Sequence, residues 1–407
     1  MYDVIVVGAR CAGSPTAMLF ARRGYRVLLV DRARFPADTL STLYIQQPAV
    51  ARLARWGLLD AVRSSGCPPL DHVVYELGQA RVEGCSRGVD GIREAYAPRR
   101  YVLDQILADG AQAAGAEFRP GHELTDLVLD DDGRVTGTRL CTPEGTDVTE
   151  HATLVVGADG MRSTVGARAG ATTLVRNERL TCAYYTMWRG PRTHFEMYEG
   201  DTGWVSAVPT NDDAVVIAAY HPQSKFPEVR RAAHESYLDN VRVTAPQLWA
   251  QLDGAEQVER LFGTGDQQNF FRQACGDGWV LVGDAGHHKD SLTARGIGDA
   301  FLQAELLVDA VGEGLHDPAH LTAALSEFAA ERDRQLTENY QATLMVARAD
   351  ARDKRRALLG AVGTSEDLTQ RYFDTVAGIL PLQGLYTPEL MAAMGAQPRT
   401  GAVAAAS

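Results

Sequence analysis

The six cysteines, at 11, 67, 85, 141, 182 and 275, form no C-x-x-C pair and no zinc-type spacing. Neither structural zinc nor a disulfide framework is expected, and a reducing cytoplasm is the natural setting. No run of Lys or Arg is long enough to make a basic patch, and 40 basic residues face 52 acidic ones, a net charge of −12. Such a surface repels phosphate backbones, so nucleic acid is not an expected partner. No apolar stretch approaches the roughly 20 residues of a membrane helix, so no membrane insertion is expected. Met1-Tyr2-Asp3 enters an apolar run without the basic flank of a signal peptide. No internal repeat is visible. What is present is an ordinary globular balance, 45% apolar and 23% charged. The 407 residues suggest two or three domains at about 150 each. A soluble, intracellular enzyme is the expectation.

Residues 3–8, DVIVVG, are a short β-branched run ending in glycine, which predicts a strand buried on both faces. Residues 12–23 follow as a helix with Pro15 near its first turn, Gly24 closes it, and 25–31 make a second buried strand. This is a β-α-β unit at the start of the chain. Helices are predicted over 48–66 and 101–115, and a buried strand with a glycine turn over 152–160. From 179 to 221, alternating segments punctuated by Gly, Pro and Asn-Asp-Asp predict an antiparallel meander, and 228–252 is helical again. Residues 278–286 return to a buried strand and glycine turn, a helix runs from about 296 to 312, and the chain from 318 on is mostly helical. The tail GAVAAAS is expected to fray.

The fold class is therefore α/β: a Rossmann-like domain with an interleaved antiparallel sheet domain and a helical C-terminal region. The expected division is 1–75, 98–178 and 265–320 for the discontinuous nucleotide-binding domain. Residues 76–97 and 179–264 would form the substrate domain, and 321–407 the C-terminal region.

Three glycine turns carry the chemistry. In the first, Gly8-Ala9-Arg10-Cys11-Ala12-Gly13 joins a strand to a helix. A dinucleotide site needs a tight turn at the first glycine and close helix–strand packing at the last. Pyrophosphate would lie on the N–H groups at the helix start. Asp31, about 20 residues on, ends the second strand where a ribose hydroxyl would sit, with Arg32 beside it. Arg10 stands where a middle glycine is usual, so either the phosphate lies further out or the guanidinium itself contacts the cofactor. The second turn is Gly157-Ala158-Asp159-Gly160-Met161-Arg162-Ser163. The third is Gly283-Asp284-Ala285-Gly286-His287, followed by Ala294-Arg295-Gly296-Ile297-Gly298-Asp299-Ala300. Plainer roles compete for several of these residues. Asp159 suits an Asx-turn, Asp284 a helix cap, and Arg100 and Arg162 a surface. A metal at His287 and His288 is not expected, because adjacent residues do not share a face.

The order GxxxxG, GADGxRS, GDAGH, RGIGDA resembles the FAD-dependent group A monooxygenases of para-hydroxybenzoate hydroxylase type, most closely their geranylgeranyl-reductase-like bacterial branch. The resemblance spans roughly residues 3 to 310. It implies FAD as cofactor and NAD(P)H as transient reductant. It implies that Gly283 and Asp284 hold the flavin ribitol, and that Arg295, Gly296 and Ile297, with Gly298, face the flavin N1–C2 carbonyl edge. It places Asp159, Gly160 and Arg162 in the pyrophosphate region or at the NAD(P)H contact, and Arg100 on the FAD phosphates or ring. Two departures stand out. Ser291 replaces a proline after GDAxH, restoring an N–H and loosening φ. Leu43 stands where the family often has histidine.

The reaction implied is hydroxylation or epoxidation of an aromatic or polyketide-like small molecule through a flavin C4a-hydroperoxide, with the 179–221 sheet roofing the ring. Aromatics concentrate there: Tyr184, Tyr185, Trp188, Phe195, Tyr198, Trp204 and Tyr220. About half should face the pocket. The alternatives are a flavin-dependent reductase of isoprenoid double bonds, a flavin-dependent halogenase, and a non-catalytic FAD-binding protein. The halogenase W-x-W-x-I-P motif and catalytic lysine are not found in that context. No catalytic residue is assigned: His194, His221 and the tyrosines are candidate bases. The need for a separate flavin reductase as partner stays open.

Overall fold

The computed structural model describes residues 1–39 and 41–396, so the predicted fraying of GAVAAAS falls outside the described residues. Among the described residues the first sheet has eight strands. Its path runs Cys275–Gly276, Trp279–Leu281, Asp147–Gly157, Tyr2–Val7, Val27–Asp31, Glu117–Pro120. The last five are mutually parallel, and the central ones carry the unbroken apolar runs that such pairing favours: Val4, Ile5, Val6, Leu28 and Leu29 are buried on both faces, while the edge strand Glu117–Pro120 is polar and partly exposed. The helix Gly13–Arg22 packs on one face with Arg100–Ala113 and Gly296–Val311. The predicted helix over 48–66 is two, Gln47–Arg55 and Leu59–Ser64, broken at Gly57, whose φ is +73°.

One excursion goes beyond the sequence reading. Residues 123–151 form an antiparallel ribbon in which Val135–Cys141 pairs with Glu123–Leu129 and with the first half of Asp147–Gly157. That last strand changes character midway. Its first half alternates exposed and half-buried residues in the ribbon; its second half is almost wholly buried in the parallel sheet.

The second sheet contains Val73–Leu77, Ala80–Gly84, Phe195–Glu199, Trp204–Pro209, Ala214–Pro222 and Thr181–Arg189, with two short edge strands at 256–257 and 262–264. It is antiparallel except where Val73–Leu77 runs parallel to Phe195–Glu199. That pairing is long-range, so local alternation gives no hint of it. Its strands alternate as predicted. Tyr184, Trp188, Val205, Ile217 and Ala219 pack on Tyr237, Val241 and Leu248 of the helices over 226–250. A third, three-stranded sheet joins His287–His288, Asn269–Arg272 and Thr173–Asn177.

The C-terminal helices close the molecule. Pro318–Ala347 packs on Gly296–Val311, while Leu359, Val362, Leu368 and Phe373 cover Leu77 and Val82 of the 73–84 hairpin. No helix among the described residues is long and apolar enough to cross a membrane.

Candidate active site

The parallel sheet brings the three glycine turns to one edge. Gly8 N–H donates to Val30 O at 2.7 Å, Ala158 N–H to Val7 O at 2.8 Å, and Val282 N–H to Gly157 O at 2.9 Å. The carboxyl ends of four neighbouring strands thus open on one crevice, where ligands bind in sheets of this kind. Gly8 has φ +102°, and a Cβ on Gly13 would lie 1.6 Å from Gly8 O. Both positions therefore need glycine for backbone reasons. A Cβ on Gly283 would meet Ala12 Cβ at 2.7 Å, so the first and third turns are in direct contact.

A cavity of about 680 Å³ runs from this crevice toward the second sheet. At one end lie Asp31 and Arg32. The two carboxylate oxygens of Asp31 accept the N–H groups of Ala9, at 2.8 Å, and Ala33, at 2.7 Å, which fixes it against the first turn. Further along, Arg10 and Arg100 reach the fully buried Asp104. Arg10 Nη1 donates at 2.7 Å, and Arg100 donates through Nε and Nη2, each at 3.1 Å. One carboxylate splinting two arginines leaves a net positive charge facing the cavity, which suits a pyrophosphate. Arg10 is thus turned toward the helix Arg100–Ala113 and not away to solvent. Asp104 was not singled out from the sequence, although its place four residues after Arg100 on a helix was a usable signal.

Asp284 lies in the cavity, exposed, with no hydrogen bond to a protein group among the described residues, while Gln303 Oε1 accepts the Gly283 N–H at 3.0 Å and holds the turn. Asp159 is differently engaged. It accepts Ser163 Oγ at 2.5 Å and the N–H groups of Thr164 and Val165, tying down the helix Thr164–Arg168, and burial raises its pKa. Arg162 lies at the cavity mouth, bonded to Asp266 at 2.9 Å, which also takes Arg179 at 2.6 Å.

The far end is built by Ala294, Gly296 and Ile297 on one side and Ala183, Tyr185, Ala218 and Tyr220 on the other. A Cβ on Gly296 would meet nothing within 4 Å. Arg295 is the odd member: its guanidinium donates to Val376 O at 2.8 Å, among the C-terminal helices, and does not line the cavity. Of the seven aromatics, Tyr185 and Tyr220 line the cavity, and Phe195 lines a small adjoining pocket with Tyr44, Met197 and Tyr220. Trp204 is buried beside Ala347, at the end of the long C-terminal helix, and Tyr184, Trp188 and Tyr198 face the outer helices. His194 and His221 line neither space; burial pulls His221 down to about 4.

The loop after the third turn supplies residues that the sequence reading did not assign. His287, Lys289, Asp290 and Ser291 all line the cavity. His287 is packed on Phe271, and burial holds its ring well below its ordinary pKa. Asp290 is raised by burial and accepts Thr181 Oγ1 at 2.8 Å. Ser291 donates both its N–H, at 3.0 Å, and its hydroxyl, at 2.6 Å, to Gln267. The N–H that a proline would remove is therefore a tether. Leu43 is buried beside Tyr44, Met187 and Ala294 with φ +63°.

The donor set fits a dinucleotide flavin. An unengaged carboxylate at a strand end, two arginines on one buried acid, and an unobstructed helix start at Gly296 suit polyol, pyrophosphate and an electron-rich ring in turn. These features define an FAD-dependent oxidoreductase. The chain belongs to the FAD binding domain family, whose model matches residues 1–340. It is 28% identical over 326 residues to a digeranylgeranylglycerophospholipid reductase of Methanosarcina mazei, covering 77% of this chain and 76% of that one. It is 26% identical over 325 residues to a 6-methylpretetramide 4-monooxygenase of Streptomyces rimosus, covering 77% and 76%. Its fold matches that of the myxobacterial chondrochloren halogenase CndH, a FAD-dependent halogenase, with a TM-score of 0.77 at 22% identity over 97% and 95% of the chains.

Proposed function

We propose that this flavoprotein is a monooxygenase that uses NAD(P)H and dioxygen to hydroxylate or epoxidise an aromatic or polyketide-like small molecule. The observation that carries the reading is the far wall of the cavity. It ends on Tyr185 and Tyr220, beside the small pocket of Tyr44, Phe195 and Met197, where Tyr44 and Phe195 stack at 4.2 Å. A flat ring suits that wall; a long isoprenoid chain needs an apolar tunnel. The monooxygenase relative from Streptomyces rimosus supports the same choice.

Bound FAD supplies hydride acceptance and dioxygen activation. The protein's share is to bind, orient and exclude water. Asp31, with Arg32, holds the adenosine ribose, and Arg10 and Arg100 hold the pyrophosphate over the Gly8–Gly13 turn. Asp284 holds the ribitol, with Gly283 and Ala12 fixing its turn. The N–H groups at Gly296 and Ile297 steady negative charge on the ring, and Arg295 anchors the loop through its guanidinium, bonded to Val376 O. Asp159 acts by ordering the turn at the cavity mouth. NAD(P)H docks transiently, since the chain has no second β-α-β fingerprint. The six free cysteines support a reducing compartment such as the cytoplasm.

The test is NADH and NADPH oxidation by FAD-loaded protein with candidate aromatic substrates, with and without dioxygen, halide and an added flavin reductase. Substrate-stimulated, dioxygen-dependent oxidation giving an oxygenated product supports the proposal. A saturated product formed without dioxygen assigns the reductase reaction, and a halide requirement the halogenase reaction; either overturns it. Activity only with the added reductase assigns that partner.

A further inference from the structure

The cavity wall holds a charged pair that the cofactor cradle does not use. Lys289 Nζ donates to Asp299 Oδ2, and the two side chains are only 4% and 9% exposed. Both line the cavity. Asp299 occupies the first turn of the helix Gly296–Val311, whose start faces the same space. Gln303, one turn further on, donates to Asp299 O at 3.2 Å and accepts the Gly283 N–H at 3.0 Å. The pair is thus fixed to the turn that presents Asp284 and to the helix start at Gly296. Beside it, the buried Nε2 of His287 has no hydrogen-bond partner among the described residues, and that ring is held neutral first by burial and then by the Lys289 charge.

Stability does not explain such a pair. Removing two charges from water costs several kcal/mol, and apolar replacements of buried ion pairs are often neutral or stabilising. A buried pair on the wall of a redox cavity points instead to electrostatic use. We propose that Lys289 sets the reduction potential of the bound flavin, with Asp299 as its opposing counter-charge. An ammonium in a wall of low dielectric favours the electron-rich reduced ring, and a carboxylate disfavours it. The two together hold the potential between the values that either charge alone would give. The inference rests on the FAD site and is independent of which substrate is oxidised.

The experiment is an anaerobic redox titration of FAD-loaded wild type, Lys289→Met, Lys289→Arg and Asp299→Asn, without substrate, following the flavin spectrum against a reference dye. Lys289→Met should keep its FAD and lower the reduced-to-oxidised ratio at fixed potential about tenfold, which is about 30 mV for a two-electron couple. Asp299→Asn should move the ratio the opposite way, and Lys289→Arg should stay near wild type. Opposite signs are what a purely structural pair would not give. Unchanged potentials, or shifts of one sign in both neutralising variants, overturn the proposal. So does a folded Lys289→Met protein that has lost its FAD. Should Lys289→Met fail to fold, Asp299→Asn decides: a raised potential supports the proposal, and a lowered or unchanged one overturns it. Failure to find an oxygenated product would leave this titration unaffected.

Discussion

The site depends on carboxylates in contrasting states. Asp31 and Asp104 accept hydrogen bonds from protein donors, whereas Asp284 accepts none among the described residues. Asp284→Ala should therefore leave the fold intact and weaken FAD binding roughly a hundredfold, about 3 kcal/mol for two charge-assisted hydrogen bonds. The ratio of flavin to protein absorbance after gel filtration reads this; full occupancy would refute the assignment. His221 gives a second expectation, because burial pulls it from 6.5 to about 4. The unfolded ring takes up a proton near 6.5, but the folded ring does so only near 4. Stability from this group is therefore whole above 6.5 and is lost as pH falls toward 4. Between pH 7 and pH 5 the wild type should lose about 2 kcal/mol more than His221→Gln in urea unfolding, at about 1.4 kcal/mol per unit. Equal losses would show that the histidine is not the cause. At this scale the sequence was legible where backbone chemistry dictates residue type, as at Gly8, Gly13 and Asp31. It was not legible at Lys289 and Asp299, whose partnership is made by folding across a loop.

Elements were readable wherever their pattern is local. Buried β-branched runs marked the parallel strands at 3–8, 25–31 and 152–160, and alternation marked the meander at 179–221. The ribbon at 123–151 and the parallel pairing of 73–77 with 195–199 escaped, because their partners are chosen by tertiary contact. The first turn is the most demanding element. Gly13→Ala would drive a methyl into Gly8 O, where backbone cannot yield, at a cost well over about 3 kcal/mol. Little soluble, FAD-bound protein should be recovered, and a wild-type melting temperature would contradict the packing described. The loop at 288–291 illustrates a different limit. Serine in place of proline suggested looseness from sequence, yet the freed N–H is used by Gln267, a partner 24 residues away.

Across the whole molecule, the C-terminal helices join elements far apart in the chain. Glu199, its side chain fully buried in the second sheet, accepts Arg355 Nε at 3.0 Å and Tyr75 OH at 3.0 Å, with Arg352 also close. Arg355→Ala leaves that carboxylate short of a partner and should cost about 3 kcal/mol in urea unfolding; a change under about 0.5 kcal/mol would mark the contact as incidental. The net charge of −12 takes on meaning at this scale as well. On the proposed reading, a cofactor carrying phosphates must be held against an unfavourable global field, and the local helix dipoles and the two arginines sharing one buried acid are what would hold it. Isotopically labelled dioxygen decides whether the protein passes oxygen to an aromatic substrate, as proposed. FAD-loaded enzyme, NAD(P)H and the substrate that stimulates its oxidation should give a product carrying one labelled oxygen atom. A product that instead gains two hydrogens or a halogen, with no label, rules out the monooxygenase reaction.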